Sequence, residues 1–299
     1  LDTSRRDLGL LAIGLGDAFN AQHRAGVDLA GNMGGDFFSI GSPVVSGSTG
    51  NTGTATASAA ITDVSALAGR DYELRFNGSA WSVIDNTTHS PVTATGSGTG
   101  ADPLLFAGLS FSISGTAAAG DRFMVRPVAN AADDFRVMLT EPAAIAAAAP
   151  VTARIAAGNA SQATVAPPVV ADVTDPKLRT PATIRFVTPT SYVVFTGGGA
   201  DLVGPLAYTS GADISFAGWT AQVNGAPAAG DEFLVEPTPG GSGDNSNALA
   251  LASVSQRGFF ANGTQSVIDL GADIVATVGS TANRASNDIL IQQSLREQS

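Results

Sequence analysis

Few residues of this chain are of a type and spacing that could do chemistry. A Gly-Asp pair recurs in one phrase, Ala-Ala-Gly-Asp at 118–121 and again at 228–231. Carboxylates beside a glycine turn are a common way to hold Ca²⁺, but a calcium loop needs a run of alternating acidic ligands. None surrounds Asp121 or Asp231. The simpler role is a turn, with glycine taking φ > 0 and the aspartate bonding nearby backbone N–H groups. The stretch DNSN at 244–247 opens like an EF-hand loop but lacks the glycine and glutamate that complete one. Asp244 or Asn245 there reads as a helix cap. The two histidines, His23 and His89, fall in a helical and a loop region respectively, and no G-x-S-x-G elbow accompanies them. His23 is expected to be a polar helix residue. Asp133-Asp134 reads as solvated loop charge, and GGGAD at 197–201 lacks the Lys-Ser/Thr of a phosphate loop. No catalytic residue, cofactor site or metal site is assigned, and the chain reads as a non-enzyme.

The bulk numbers narrow the classes further. The chain has 299 residues, 44% hydrophobic but only 6% aromatic, with 35 Gly and 15 Pro. Its net charge is −11, which argues against a nucleic-acid partner and against binding to an anionic membrane surface. With zero cysteines, disulfides and thiolate metal sites are excluded. No apolar run is long enough to span a bilayer, and no signal peptide is recognisable. Two Asn-Gly-Ser/Thr triplets, at 77–79 and 262–264, are glycosylation acceptors by letter only.

The elements that must position these residues differ along the chain. Near the start, Leu8, Leu11, Leu15, Ala18 and Phe19 recur at helical spacing, and Gly26 is a natural stop. Near the end, Ala248, Leu249 and Leu251 follow the Asp244 cap, and a turn falls at Asn262-Gly263. A longer pattern then runs through Val267, Leu270, Ile274, Val278, Ala282, Ala285, Ile289 and Leu295. Such a helix would approach ~50 Å at 1.5 Å per residue. Its narrow stripe suggests pairing with the N-terminal helix, with Leu8, Leu11, Leu15, Phe19, Leu249, Leu251, Val267, Ile274, Val278 and Ile289 as the packing set. Between the ends the period is two, as in Tyr72, Leu74 and Phe76 or Leu109, Phe111 and Ile113, which marks half-buried strands. The Ala/Pro-rich stretch 141–153 reads as a linker.

The middle is written twice. At an offset of 110, residues 106–127 and 216–237 agree at 11 of 22 positions. Arg75-Phe76 matches Arg185-Phe186, ITDV at 61–64 matches VADV at 170–173, and GNTGTAT at 50–56 resembles GNASQAT at 158–164. A whole β-unit is duplicated. Gly120, Asp121, Phe123 and Val125, with Gly230, Asp231, Phe233 and Val235, are the expected turn and core of the copies. The outward positions Arg122 and Arg126 become Glu232 and Glu236. The expected fold is multidomain α+β. Terminal helices, 1–40 and 243–299, pair into one discontinuous domain. A first β-rich domain at 41–142, then a linker with a second β-rich domain at 143–242, are inserted between them.

The segment LGLLAIGLGDAFNAQHRAGVDLAGNMGGDFFSIGSP at 8–43 resembles the flagellar hook-associated protein 1 family. The pattern falls on Leu11-Ala12, Phe19-Asn20, Gln22-His23, Gly26, Asp28-Leu29, Gly31, Gly35 and Asp36-Phe37-Phe38. FAGLSFSISGTAAAGDRFMVRP at 106–127 resembles the family's β-repeat, and GDNSNALALASV at 243–254 its return to the C-terminal helices. The family's terminal helix segments are absent before Leu1 and after Ser299, so the chain is expected to be a trimmed, monomeric segment of a longer protein.

The resemblance implies a structural subunit joining hook to filament by packing. The implied partners are the hook protein, hook-associated protein 3, copies of itself, and an export chaperone bound through the missing C-terminus. It further implies an extracellular flagellar location, reached by the flagellar type III pathway without a cleaved signal peptide. The alternative open at this point is an adhesin-like array of β-domains that binds host glycan or protein.

Overall fold

The computed structural model describes residues 2–261 and 263–297; the turn residue and sequon acceptor Asn262 lies outside them. The protein is multidomain α+β, with four α-helices and several antiparallel sheets among the described residues. Helix α1 spans Asp2–Arg24, α2 Ala131–Asp134, α3 Ser246–Ala252 and α4 Val267–Glu297. The chain forms two compact units. One comprises residues 1–19, 38–138 and 253–299, and the other residues 20–37 and 139–252. Helix α1 passes from the first into the second.

In the first unit a five-stranded sheet has the order Val44–Gly47, Arg122–Arg126, Tyr72–Phe76, Trp81–Asp85, Pro91–Val92. A three-stranded sheet has the order Thr56–Ile61, Leu109–Ser114, Leu104–Phe106. The alternating residues of both sheets meet in one core, where Leu74, Leu109, Phe111 and Val125 are fully buried. Leu10 and Ile13 of α1, Phe260, and Leu270 and Ile274 of α4 join that core.

The stripe that α1 buries is not the predicted one. Leu8 is exposed and Leu11, Leu15 and Phe19 are half-buried, while Leu10 and Ile13 are buried. The reason is Gly14. A Cβ there would stand 2.1 Å from the Phe260 ring, so the missing side chain lets the aromatic press against the helix and fixes which face turns inward.

Helix α4 buries only Leu270 and Ile274, one turn apart, together with half-buried Val267. From Val275 to Arg296 it is exposed, Val278 and Ile289 included. The apolar stripe read from the sequence is present, but no described element covers it beyond Ile274.

The second unit repeats the first. Its five-stranded sheet has the order Val151–Ile155, Glu232–Pro237, Ala182–Thr188, Ser191–Thr196, Ala200–Ala207. A smaller sheet centres on Trp219–Asn224, flanked by Thr164–Val165, Val169–Val170 and Asp213–Phe216. The register is conserved between copies. Tyr72 pairs Val125 and Leu74 pairs Phe123 in one, and Ala182 pairs Val235 and Ile184 pairs Phe233 in the other. Trp219, Phe186, Phe233, Ile184 and Val235 form the core. Leu251 of α3 is buried, whereas Leu249 is 64% exposed, because the short helix turns only one side inward.

The stretch 143–150 is not a free tether. Its Ala143, Ala146, Ala147 and Ala148 exchange backbone or side-chain hydrogen bonds with residues 23–29 and 247–248 of the same unit.

Candidate functional site

The repeated phrase builds the same latch in each copy. In the first unit the Asp121 carboxylate is buried and accepts three backbone N–H bonds, from Thr52 (2.8 Å), Gly53 (3.4 Å) and Ala118 (2.9 Å). In the second, Asp231 accepts from Ala160 (2.7 Å) and Ala228 (2.9 Å) and from the Ser161 hydroxyl. The Ala118 N–H, then those of Thr52 and Gly53, lower the Asp121 pKa despite burial. Burial raises that of Asp231, but the Ser161 hydroxyl and three backbone N–H groups outweigh it and leave it lowered. Gly120 and Gly230 take φ of 95° and 93°, and the side chains of Phe123, Val125, Phe233 and Val235 point into their cores. The aspartates therefore bond their own turns, as expected, and also staple a distant loop.

A second pair completes each latch. The Asn51 side chain donates to the Arg122 carbonyl (2.9 Å) and accepts the Arg122 N–H (2.8 Å). Asn159 does the same to Glu232, with both bonds at 2.9 Å. The sequence signal for these asparagines was present in the matching GNTGTAT and GNASQAT stretches. Its meaning appears only when loop and strand meet.

The outward charges that invert between copies are resolved within each sheet. Glu232 pairs with Arg185 across the strand at 2.6 Å, and Glu236 with Arg154 through two bonds of 2.8 and 3.0 Å. In the first copy Arg122 and Arg75 share Glu73. Arg126 has no ion-pair partner among the described residues.

The motif of the first forty residues folds into a dense node in the second unit. His23 is fully buried. Its Nδ1 donates to the Gly35 carbonyl (2.8 Å), and its Nε2 accepts the Ala146 N–H (2.9 Å). The Ala146 carbonyl accepts from Asn247 (2.6 Å), whose own oxygen accepts from Gln22 (2.7 Å). The Asn20 oxygen accepts the Phe37 N–H at 2.8 Å, and the Phe37 ring stands edge-on to His23. Asp28 caps a tight loop through Ala30 and Asn32, and Arg24 pairs with Asp36. Gly34 has no room for a side chain, since a Cβ would lie 2.1 Å from the His23 carbonyl. In the first unit Phe38 stacks on Phe135 and meets Phe19 edge to face. The sequence placed His23 on the helix but gave no sign that it is buried.

The other candidate groups stand apart. Asp133 pairs with Arg5 and Asp134 with Arg136. Asp244 caps α3 through Ser246 and also accepts the Ala149 N–H. His89 sits in a turn after Asp85, donating its N–H to the Asp85 carbonyl. Burial raises the Asp85 pKa, but Arg70 and the N–H groups of Thr87 and Thr88 outweigh it and hold it at about 2. Among the described residues no three His, Cys, Asp or Glu side chains are placed to hold a metal ion. Among the described residues no helix is long and apolar enough to cross a membrane.

The fold is thus two duplicated β-units, each closed by the same bonded turn, in a chain that also holds long helices. Residues 1–38 match the family model of the flagellar hook-associated protein FlgK helical domain, and residues 46–127 that of the flagellar hook-associated protein 1 D2-like domain. Over these stretches the chain is similar to the flagellar hook-associated protein 1 family. It is 38% identical to flagellar hook-associated protein 1 of Escherichia coli (strain K12) over 148 residues, 50% of this chain and 27% of the relative. With the Salmonella typhimurium protein of the same name the identity is 40% over 149 residues, again 50% and 27% of the two chains. The matched half of the chain thus covers about a quarter of the length of these relatives. The solved structure of the flagellar hook junction protein FlgK from Burkholderia pseudomallei superposes with a TM-score of 0.81 at 27% identity. It covers 99% of this chain and 60% of that one.

Proposed function

We propose that this chain is a structural segment of the junction between hook and filament of a bacterial flagellum, and that it works by subunit packing and not by catalysis. The observation that carries this is the match over 99% of the chain to a flagellar hook junction protein, with Asn20, Gln22, His23 and Asp36 of the motif held in internal bonds.

On this reading the partners are the hook protein, hook-associated protein 3 and further copies of the chain, with an export chaperone acting before assembly. The protein reaches the outside through the flagellar export pathway. In the assembled protein the helical regions 1–40 and 243–299 are proposed to work together as one domain with β-rich domains at 41–142 and 143–242 as inserts, while within the chain itself residues 20–37 and 243–252 belong to the second compact unit. The adhesin-like alternative is not carried forward, because the relatives are flagellar junction proteins.

Deleting the gene in its source organism tests the proposal. The expected outcome is hooks without attached filaments, loss of motility, and filament protein shed into the medium. Normal filaments on the deletion strain would overturn it.

A further inference from the structure

The duplicated β-units allow an internal comparison. Position 236 in the second copy is a glutamate held by both guanidinium arms of Arg154. The equivalent position in the first copy is Arg126, and register places Ser46 where Arg154 stands. One copy therefore satisfies its outward charge from within, and the other presents an arginine with no ion-pair partner among the described residues. Arg126 lies at the rim of a cleft of about 300 Å³ that also has Arg5, Arg6, Asp71 and Asn130 on its walls. Arg5 is paired with Asp133, and Arg6 stands 4.0 Å from Asp71. Three guanidinium groups against two carboxylates leave one positive charge, centred on Arg126, in a chain whose net charge is −11.

We infer that this cleft receives a carboxylate from a second copy of the chain, and that Arg126 is the anchor of a copy-to-copy contact. An arginine fork and an adjacent side-chain amide are suited to one carboxylate, which they can grip through paired bonds. The partner whose acidity the sequence itself establishes is another copy, with 26 Asp and Glu against 15 Lys and Arg. Two such chains repel on average, so an approach between them needs a local cationic site. This inference rests on the reading of the chain as an assembling structural subunit and names one of its contact points.

The test uses the full-length protein in its own flagella. A photo-crosslinking amino acid placed at position 129, on the wall of the same cleft with Arg126 kept, is expected to give an adduct of two copies of the chain. Mass mapping should end in an Asp- or Glu-bearing segment, and the yield should fall as salt is raised. An adduct with a different protein, or none on intact filaments, would overturn the inference. In parallel, Arg126→Glu is expected to lower filament retention about tenfold. Arg126→Lys should retain most of it, and both variants should melt within a few degrees of wild type because the residue is exposed. Wild-type retention by Arg126→Glu would count against the contact while leaving the junction role intact. Failure of the junction role would appear instead in the deletion strain.

Discussion

Asn51 and Arg122 hold each other through two hydrogen bonds: the Asn51 side chain donates to the Arg122 carbonyl at 2.9 Å and accepts its N–H at 2.8 Å. The side-chain amide thus imitates a strand, extending the sheet edge by one bonded pair across 71 positions of sequence. Asn51→Ala should remove both bonds and destabilise the first unit by about 1–2 kcal/mol. Asn51→Asp, which loses only the donor, should cost less than that. Urea melts followed by circular dichroism measure both. Equal stability of Asn51→Ala and wild type would show that water replaces the amide without loss.

The buried carboxylates make the fold sensitive to acid. Asp121, Asp231 and Asp85 all have lowered pKa values, Asp85 at about 2. A carboxyl whose folded pKa is depressed adds stability above its unfolded value, near 3.9, and that stability is lost as pH falls toward the folded value. The melting temperature is therefore expected to fall as pH drops from about 4 toward 2. Asp85→Asn should be less stable than wild type at neutral pH and should show a shallower decline in acid. A parallel pH dependence in the variant would remove Asp85 from this account.

The FAG turn of each copy puts an alanine where the backbone favours glycine. Ala107 has φ of 46° and Ala217 of 45°, each followed by a glycine at φ 78° or 77°. A residue with a Cβ is disfavoured there by roughly 1 kcal/mol, so Ala107→Gly should stabilise by a few tenths to about 1 kcal/mol after the greater freedom of glycine in the unfolded chain is counted. Gly108→Ala should act the other way, at a cost of about 2 kcal/mol or more, since its Cβ would meet the Asp63 carbonyl at 2.2 Å. Differential scanning calorimetry of the two variants, side by side, decides the sign.

His23 joins helix, loop and the 143–150 stretch, so its loss should be felt across the node. His23→Ala deletes two bonds and opens a cavity, for an expected cost of about 2–4 kcal/mol. The local readout is amide exchange. The Ala146 N–H, which donates to His23, should exchange faster in the variant, whereas the Val235 N–H in the sheet should change less at low denaturant. Unchanged protection at Ala146 would mean that another group takes the place of the ring.

The exposed pairs should matter little for stability. Arg154 and Glu236 form two good bonds, yet both side chains are more than a third exposed. A double-mutant cycle, with Arg154→Ala and Glu236→Ala, is expected to give a coupling of about 1 kcal/mol or less. A larger value would make the inverted charges a stabilising device rather than surface chemistry.

The sequence by itself determined the elements and their duplication. Strand alternation in Tyr72, Leu74 and Phe123, the helical period of both ends, and the copied AAGD phrase were all legible, because they depend on local periods and on turn backbone that neighbouring residues set. Tertiary structure alone decided which face of α1 turns inward, because that depends on Phe260 lying against Gly14. It also decided that His23 is buried, that the 143–150 stretch is bonded into its unit, and that Asn51 and Asp121 close on loops far away in sequence. The exposed run of α4 past Ile274 belongs to the same group. An apolar stripe records that a helix has a face to bury; what covers the face depends on long-range neighbours, and a single chain's periodicity carries no information about them.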